Sequence, residues 1–262
     1  MAAAAVASAP VVRRFADLEA LSAACADDLA ALAREAVAAR GACHIALSGG
    51  STPRRLFQLL IGRGPSALPW RDMVWWWGDE RTVPPDHADS NYRMAREALL
   101  DPASRPASGF GVAASHIHRM AGERADHAAA AADYERALVA ALGSPPRLDI
   151  ALQGMGPDGH TASLFPGSPA LGETARWVVA NPVDSPVAHG KTVRLTLTAP
   201  AINAARHVRF LVAGADKAAA LAQVIAGPRD PARYPSQLIA PSDGDQVWFV
   251  DAAAASALGE SP

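Results

Sequence analysis

Cysteine is scarce in this chain: Cys25 and Cys43 are the only two in 262 residues. They are not in CxxC spacing, which argues against a disulfide framework or a thiolate metal site and fits a reducing compartment. No apolar run approaches the ~18 uninterrupted residues of a membrane-spanning helix. Charge of one sign is also missing, since 24 Lys and Arg face 26 Asp and Glu for a net charge of −2. That balance gives no chain-wide basic field for nucleic acid or anionic membrane. There is no HExxH, and His116 with His118 offers two ligands at most on one strand face, so no metal is expected. There is no GxSxG nucleophile elbow either, which argues against a serine hydrolase of the common type.

What is present describes a globular protein. Half of the residues are hydrophobic and 19% are charged, too apolar a mixture for a disordered chain. The length suits one large domain, expected over 11–258 behind a frayed tail at 1–10. Ala7-Ser8-Ala9 resembles a signal-peptidase site, but no positive charge precedes its short alanine-rich stretch. A soluble, cytoplasmic protein is the expectation.

Along the chain, Leu18, Leu21, Cys25, Leu29, Leu32 and Val37 recur at helical spacing and predict a helix from Asp17 to about Arg40, closed by Gly41. Cys43–Leu47 predicts a strand that runs into Ser48-Gly49-Gly50-Ser51-Thr52-Pro53, where a second helix starts. Met73–Trp77 predicts the next strand, and the tryptophans Trp75, Trp76 and Trp77 are read as core. Ser90 is expected to cap a helix through Leu100. A short strand is predicted at His116–Met120, a long helix over Ala125–Leu142, and a strand buried on both faces at Leu148–Leu152. Further strands are predicted at Trp177–Asn181, Val193–Thr198, Val208–Ala213 and Val247–Val250, with a helix from about Asp216 to Ile225. The proline-rich stretches at 102–106 and 228–241 read as surface loops. Strands alternating with helices predict an α/β fold, Rossmann-like, with a largely parallel sheet flanked by helices.

The chemistry-bearing residues sit at the predicted strand ends, where open α/β sheets place their ligands. Ser48, Gly49, Gly50, Ser51 and Thr52 open a helix, and free backbone N–H groups there, with hydroxyls beside them, suit a phosphate. Asp79-Glu80-Arg81 supplies a cation and carboxylates to the same end. Lys217 begins a helix, where a lysine is electrostatically misplaced unless an anion compensates it. Gly154-Met155-Gly156-Pro157-Asp158-Gly159 matches GxGxxG and raises a dinucleotide site. Pro157 removes an N–H from the cradle, Pro166 and Pro169 cut short the helix that motif needs, and no strand with a terminal acid follows about 20 residues on. The dinucleotide reading is rejected. Asp158 and His160 remain, a carboxylate and an imidazole two residues apart in a glycine-framed loop, suited to general acid–base work near neutral pH.

The chain resembles the 6-phosphogluconolactonase family, the lactonase branch of the glucosamine-6-phosphate isomerase superfamily. The resemblance rests on ALSGGSTP at 46–53, WWWGDERTVPPDHADSNYRM at 75–94, LDIALQGMGPDGHTASLFPGSP at 148–169, RLTLT at 194–198 and GADKAAAL at 214–221. It implies a fold similar to that of glucosamine-6-phosphate deaminase and hydrolysis of a sugar-phosphate lactone without a cofactor. By that resemblance His160 activates water and Asp158 orients it. Ser48 to Thr52, Asp79, Arg81, Arg194 and Lys217 surround the substrate and its phosphate. No nucleic acid or membrane partner is expected, and a monomer is favoured. The alternatives are an aminosugar-6-phosphate deaminase or isomerase and a non-catalytic sugar-phosphate-binding regulator. Deaminases follow DGH with a stretch like IAFNEP, whose Glu takes part in ring opening. Here the stretch is Thr161-Ala162-Ser163-Leu164-Phe165-Pro166, with no acid, and Arg81 stands where deaminases usually carry an aromatic residue.

Overall fold

The structure, a computed structural model, describes residues 10–105 and 109–259. The expected tail at 1–10 lies outside the described residues except for Pro10. The chain begins with β1 (Val11–Phe15) and α1 (Leu18–Arg40). The Asp17 carboxylate caps α1 by accepting from Ala20 N at 2.8 Å, and Gly41 ends it at φ 80°. Next come β2 (Cys43–Leu47), α2 (Ser51–Gly62), β3 (Met73–Trp77) and β4 (Asp79–Arg81). Ser90 caps α3 (Asn91–Ala95), which passes through a π-helical turn at Arg96–Leu100 into α4 (Asp101–Ser104). After α5 (His127–Leu142) come β5 (Ile150–Gly154), β6 (Val178–Ser185), β7 (Gly190–Leu197), α6 (Ala199–Asn203), β8 (His207–Val212), α7 (Ala218–Ala226) and β9 (Asp245–Asp251).

Six strands form one parallel sheet in the order β1-β9-β8-β5-β2-β3. Its interior strands are apolar on both faces, with Ile150, Ala151, Leu152, Val208 and Phe210 essentially inaccessible, as a parallel sheet covered by helices requires. Trp75, Trp76 and Trp77 are buried, in keeping with the core reading. From β2 the chain moves outward to β3, whereas β5 lies on the other side of β2 and leads towards β8, β9 and β1. The loops after β2 and β5 therefore diverge and leave a crevice at the carboxyl ends of the sheet.

A second sheet, three antiparallel strands in the order β4-β7-β6, stands over that crevice. Gly78 joins the two sheets. Its N–H donates to Leu47 O at 2.9 Å at the end of β2, and its carbonyl accepts from Leu197 N at 2.8 Å at the end of β7.

Several expectations need correction. The strand predicted at His116–Met120 is a 3-10 turn at Ala114–His116 followed by a single bridge from Ile117 to Trp75. β1 went unread because Arg13 and Arg14 interrupt its apolar run; it is a sheet edge with Val11 exposed. Residues 102–104 are helical and Ala103 is buried, so the first proline-rich stretch is not simply a surface loop. Within 228–241, Pro235 and Ser236 are buried in a 3-10 turn. The helix predicted from Asp216 begins at Ala218, after a 3-10 turn at Ala215–Lys217.

Candidate active site

The crevice is a cleft of about 250 Å³, and the ends of β2, β5 and β8 form its floor. Ser48, Gly49, Gly50, Ser51, Thr52, Asp79, Arg81, His160, Arg194 and Lys217 all line it. Asp158 stands behind His160 and reaches the cleft through it.

The loop after β5 gives the His–Asp pair its shape. Gly156 N donates to His160 O at 2.9 Å, and Gly159 N donates to Gly156 O at 3.0 Å. These N–H groups are consumed inside the loop, which is a second reason that it cannot cradle a pyrophosphate. His160 Nδ1 lies 2.5 Å from Asp158 Oδ1, and its backbone N–H donates to the same oxygen at 3.2 Å. A Cβ at position 156 would fall 2.0 Å from His160 Nδ1, so only glycine allows the ring to lie over this turn. The ring stacks on Phe165 at 4.1 Å with an interplanar angle of 22°. Burial pushes the Asp158 carboxyl up, but the hydrogen bonds and charge of His160 outweigh it and hold the group below the usual carboxylate value. An ionised Asp158 assigns the proton to Nδ1 and leaves the Nε2 lone pair as the free basic position.

The opposite wall is cationic. β4 and β7 pair with Arg81 directly across from Arg194. Arg194 is 9% exposed, and its guanidinium donates to Ala188 O at 3.3 Å, with no carboxylate acceptor among the described residues. Burial and the neighbouring Arg81 pull its pKa below the usual value, against Asp79, Asp89 and Glu80. Arg81 donates to Asp89 O at 2.5 Å. Lys217 lies 2.8 Å from the exposed carboxylate of Asp216.

Strand alternation sorts the acidic pair at the start of β4. Asp79 faces the cleft, accepting from Ser163 Oγ at 2.6 Å and from Asn91 Nδ2 at 3.1 Å. Glu80 turns away, so the expectation that both carboxylates enter the cleft is wrong for this one. It accepts from the N–H groups of Asn91 and Tyr92 at 2.7 Å each and from Ser90 Oγ at 3.0 Å, closing the start of α3. Burial raises its pKa despite these donors.

The helix starts differ in the same way. Side chains cap α1, α3, α5 and α6, whereas α2 at Gly50 has no side-chain cap, and α4 and α7 continue from a preceding π-helical or 3-10 turn. The uncapped start of α2 opens on the cleft, where the N–H groups of Ser51 and Thr52 suit an anion, and the turn before α7 brings Lys217 to the same space.

Sequence reasoning missed Asn91, Ser163 and Phe165. Asn91 is buried against the glycine loop so tightly that a Cβ at Gly49 would fall 1.8 Å from its Oδ1. It lies beside a recognised helix cap, but nothing in the local pattern says that its side chain turns back to Asp79. Among the described residues, no group of three or more His, Cys, Asp or Glu side chains is arranged to hold a metal ion.

An open parallel sheet whose strand-end cleft joins a His–Asp pair to a wall of cations defines an α/β protein built to act on a small anion. Comparisons with known proteins agree. The sequence pattern of the family described as glucosamine-6-phosphate isomerases/6-phosphogluconolactonase matches residues 16–248. A 6-phosphogluconolactonase from Synechocystis sp. is 43% identical over 221 residues, 83% of this chain and 85% of its own. One from Mycobacterium tuberculosis is 40% identical over 253 residues, 93% of this chain and 96% of its own. The solved 6-phosphogluconolactonase from Trypanosoma cruzi superposes with a TM-score of 0.81 at 30% identity, covering 97% of this chain and 98% of its own. A monomeric glucosamine-6-phosphate deaminase, 20% identical, shares the fold with a TM-score of 0.78 over 94% of this chain and 99% of its own. The chain belongs to the glucosamine-6-phosphate isomerase/6-phosphogluconolactonase family.

Proposed function

We propose that this protein is an enzyme that hydrolyses 6-phospho-D-glucono-1,5-lactone to 6-phospho-D-gluconate, the lactone-opening step of the oxidative pentose phosphate pathway. The observation that carries the reading is the His160–Asp158 pair facing Arg81, Arg194 and Lys217 across one cleft, with no acid in the Thr161–Pro166 stretch. The names of the relatives supply the substrate. A cytoplasmic location belongs to the same proposal and is supported by two free, buried thiols, Cys25 and Cys43.

In this reading His160 Nε2 takes a proton from a water that attacks the lactone carbonyl, and Asp158 holds the imidazolium that forms. The tetrahedral oxyanion and the phosphate are both anionic, and the cations with the uncapped start of α2 serve them together. Collapse breaks the bond to the ring oxygen, which leaves as an alkoxide and takes the proton from the imidazolium. The ring opens to a carboxylic acid that ionises in water. No covalent nucleophile is needed, because a positioned water and a base suffice for an activated ester.

The test uses freshly generated lactone, with spontaneous hydrolysis subtracted. Wild type is expected to exceed the buffer rate, and His160→Ala to lose at least about a hundredfold in kcat. No acceleration by wild type rejects the reaction, and equal rates for the two proteins reject His160 as the base. Ammonia release from glucosamine 6-phosphate would instead support the deaminase alternative.

A further inference from the structure

The loop that carries His160 is bounded by two glycines in the left-handed region, Gly159 at φ 79° and Gly167 at φ 69°. Such a loop has pivots at both ends, yet its imidazole must meet Asp158 at 2.5 Å and stack on Phe165. A segment remote in sequence grips both pivots. Ser236 donates twice to the Gly159 carbonyl, from its backbone N–H at 2.9 Å and from its hydroxyl at 2.8 Å, and the residue is 1% exposed. Tyr234 packs so closely on the same glycine that a Cβ there would fall 2.9 Å from its ring. At the other pivot, Gly167 N donates to Ala232 O at 3.3 Å.

This segment is itself braced. Gln237 accepts from Asp230 N at 2.6 Å and donates to Gln223 O in α7 at 3.0 Å and to Pro228 O at 3.1 Å. The strut therefore connects the His160 loop to α7, the helix that follows Lys217. Ala232, Tyr234 and Ser236 do not line the cleft, so they have no direct route to substrate.

We propose that Ser236 is a positioning residue for His160, and that Asp230–Ser236 is a strut fixing the angle at which the imidazole enters the cleft. The proposal rests on His160 being the base. A carbonyl with both lone pairs occupied, one residue before the base, leaves the loop little rotational freedom. Removing one of the two donors leaves the carbonyl bonded through the backbone N–H but lets it tilt. Small misplacements of a catalytic group cost rate more than they cost binding.

The experiment compares wild type, Ser236→Ala and Thr198→Ala. Thr198 caps α6 through Ala201 N, and its loss gives a stability control outside the strut. Ser236→Ala is expected to lose roughly tenfold in kcat with KM changed less than about twofold. Thr198→Ala is expected to lower the melting temperature while keeping kcat. In protein carrying 15N-histidine, the His160 Nδ1 resonance, assigned with His160→Ala, is expected to move in Ser236→Ala and to stay in Thr198→Ala. A kcat within about twofold of wild type in Ser236→Ala, or an equal kcat loss in Thr198→Ala, overturns the proposal. Should Ser236→Ala fail to fold, Gln237→Ala frees the strut from α7, and an unchanged kcat and Nδ1 resonance there overturn it. If wild type does not open the lactone, the functional reading fails alone, and the Nδ1 comparison still decides whether Ser236 positions the ring.

Discussion

Two buried arginines in different regions of the molecule have opposite surroundings. Arg209, on β8 beneath α1, is 2% exposed and donates to Asp28 at 2.6 Å and to both oxygens of Asp245 at 2.8 and 3.0 Å. Burial alone would lower its pKa, but these carboxylates raise it above the usual value. Arg194, on β7 beside the cleft, is 9% exposed, has one carbonyl acceptor and faces another arginine. Its pKa falls. A guanidinium enclosed by carboxylates ties the fold together, because taking charge from water is recovered only by close partners. One buried without a carboxylate leaves an electrostatic deficit that a bound anion fills.

The sharpest way to break that contrast is to remove each guanidinium in turn. Arg209→Met leaves Asp28 and Asp245 without their cation, and urea unfolding should show a loss of about 3 kcal/mol, with kcat per folded molecule unchanged. Arg194→Met should do the reverse. Steady-state kinetics with the lactone should show a fall of about a hundredfold in kcat/KM, while stability holds or rises by about 1 kcal/mol.

The acid limb of stability sharpens the same comparison. Burial pushes Asp245 up, but its bonds to Arg209 and His207 outweigh that and hold its pKa below the ordinary 3.8. A carboxylate lowered on folding stabilises the protein above the unfolded value, and the contribution is lost as pH falls through the folded one. Denaturation midpoints measured below about pH 4 should therefore fall less steeply in Arg209→Met than in wild type. Arg194→Met should keep the wild-type slope. The smallest effect concerns inorganic phosphate at several times its Kd. It should raise the melting temperature of wild type and Arg209→Met by about 2–4 °C, and that of Arg194→Met by less.

Much of this was legible in the sequence where the cause is local. The bounds of β2 and β3 agree with their apolar runs because glycine and polar residues stop both strands abruptly. Ser90 was readable as a cap because the helix-start pattern lies within a few residues. β4 was not legible as a strand, since Asp79-Glu80-Arg81 has no apolar residue and pairs only because β7 runs beside it. Asn91 and Ser163 were invisible for the same reason: Ser163 meets Asp79 across 84 residues of chain.

The sequence by itself determined the alternation of strands and helices, the glycine loops at the strand ends, and an Asp and a His close enough to pair. Those features depend on backbone freedom and side-chain period over a few residues. Tertiary structure alone decided that Asp79 enters the cleft while Glu80 closes a helix, that Arg81 meets Arg194, and that Ser236 grips the carbonyl before His160. Each of these depends on the register between distant segments, and a shift of one residue would turn the side chain to the opposite face.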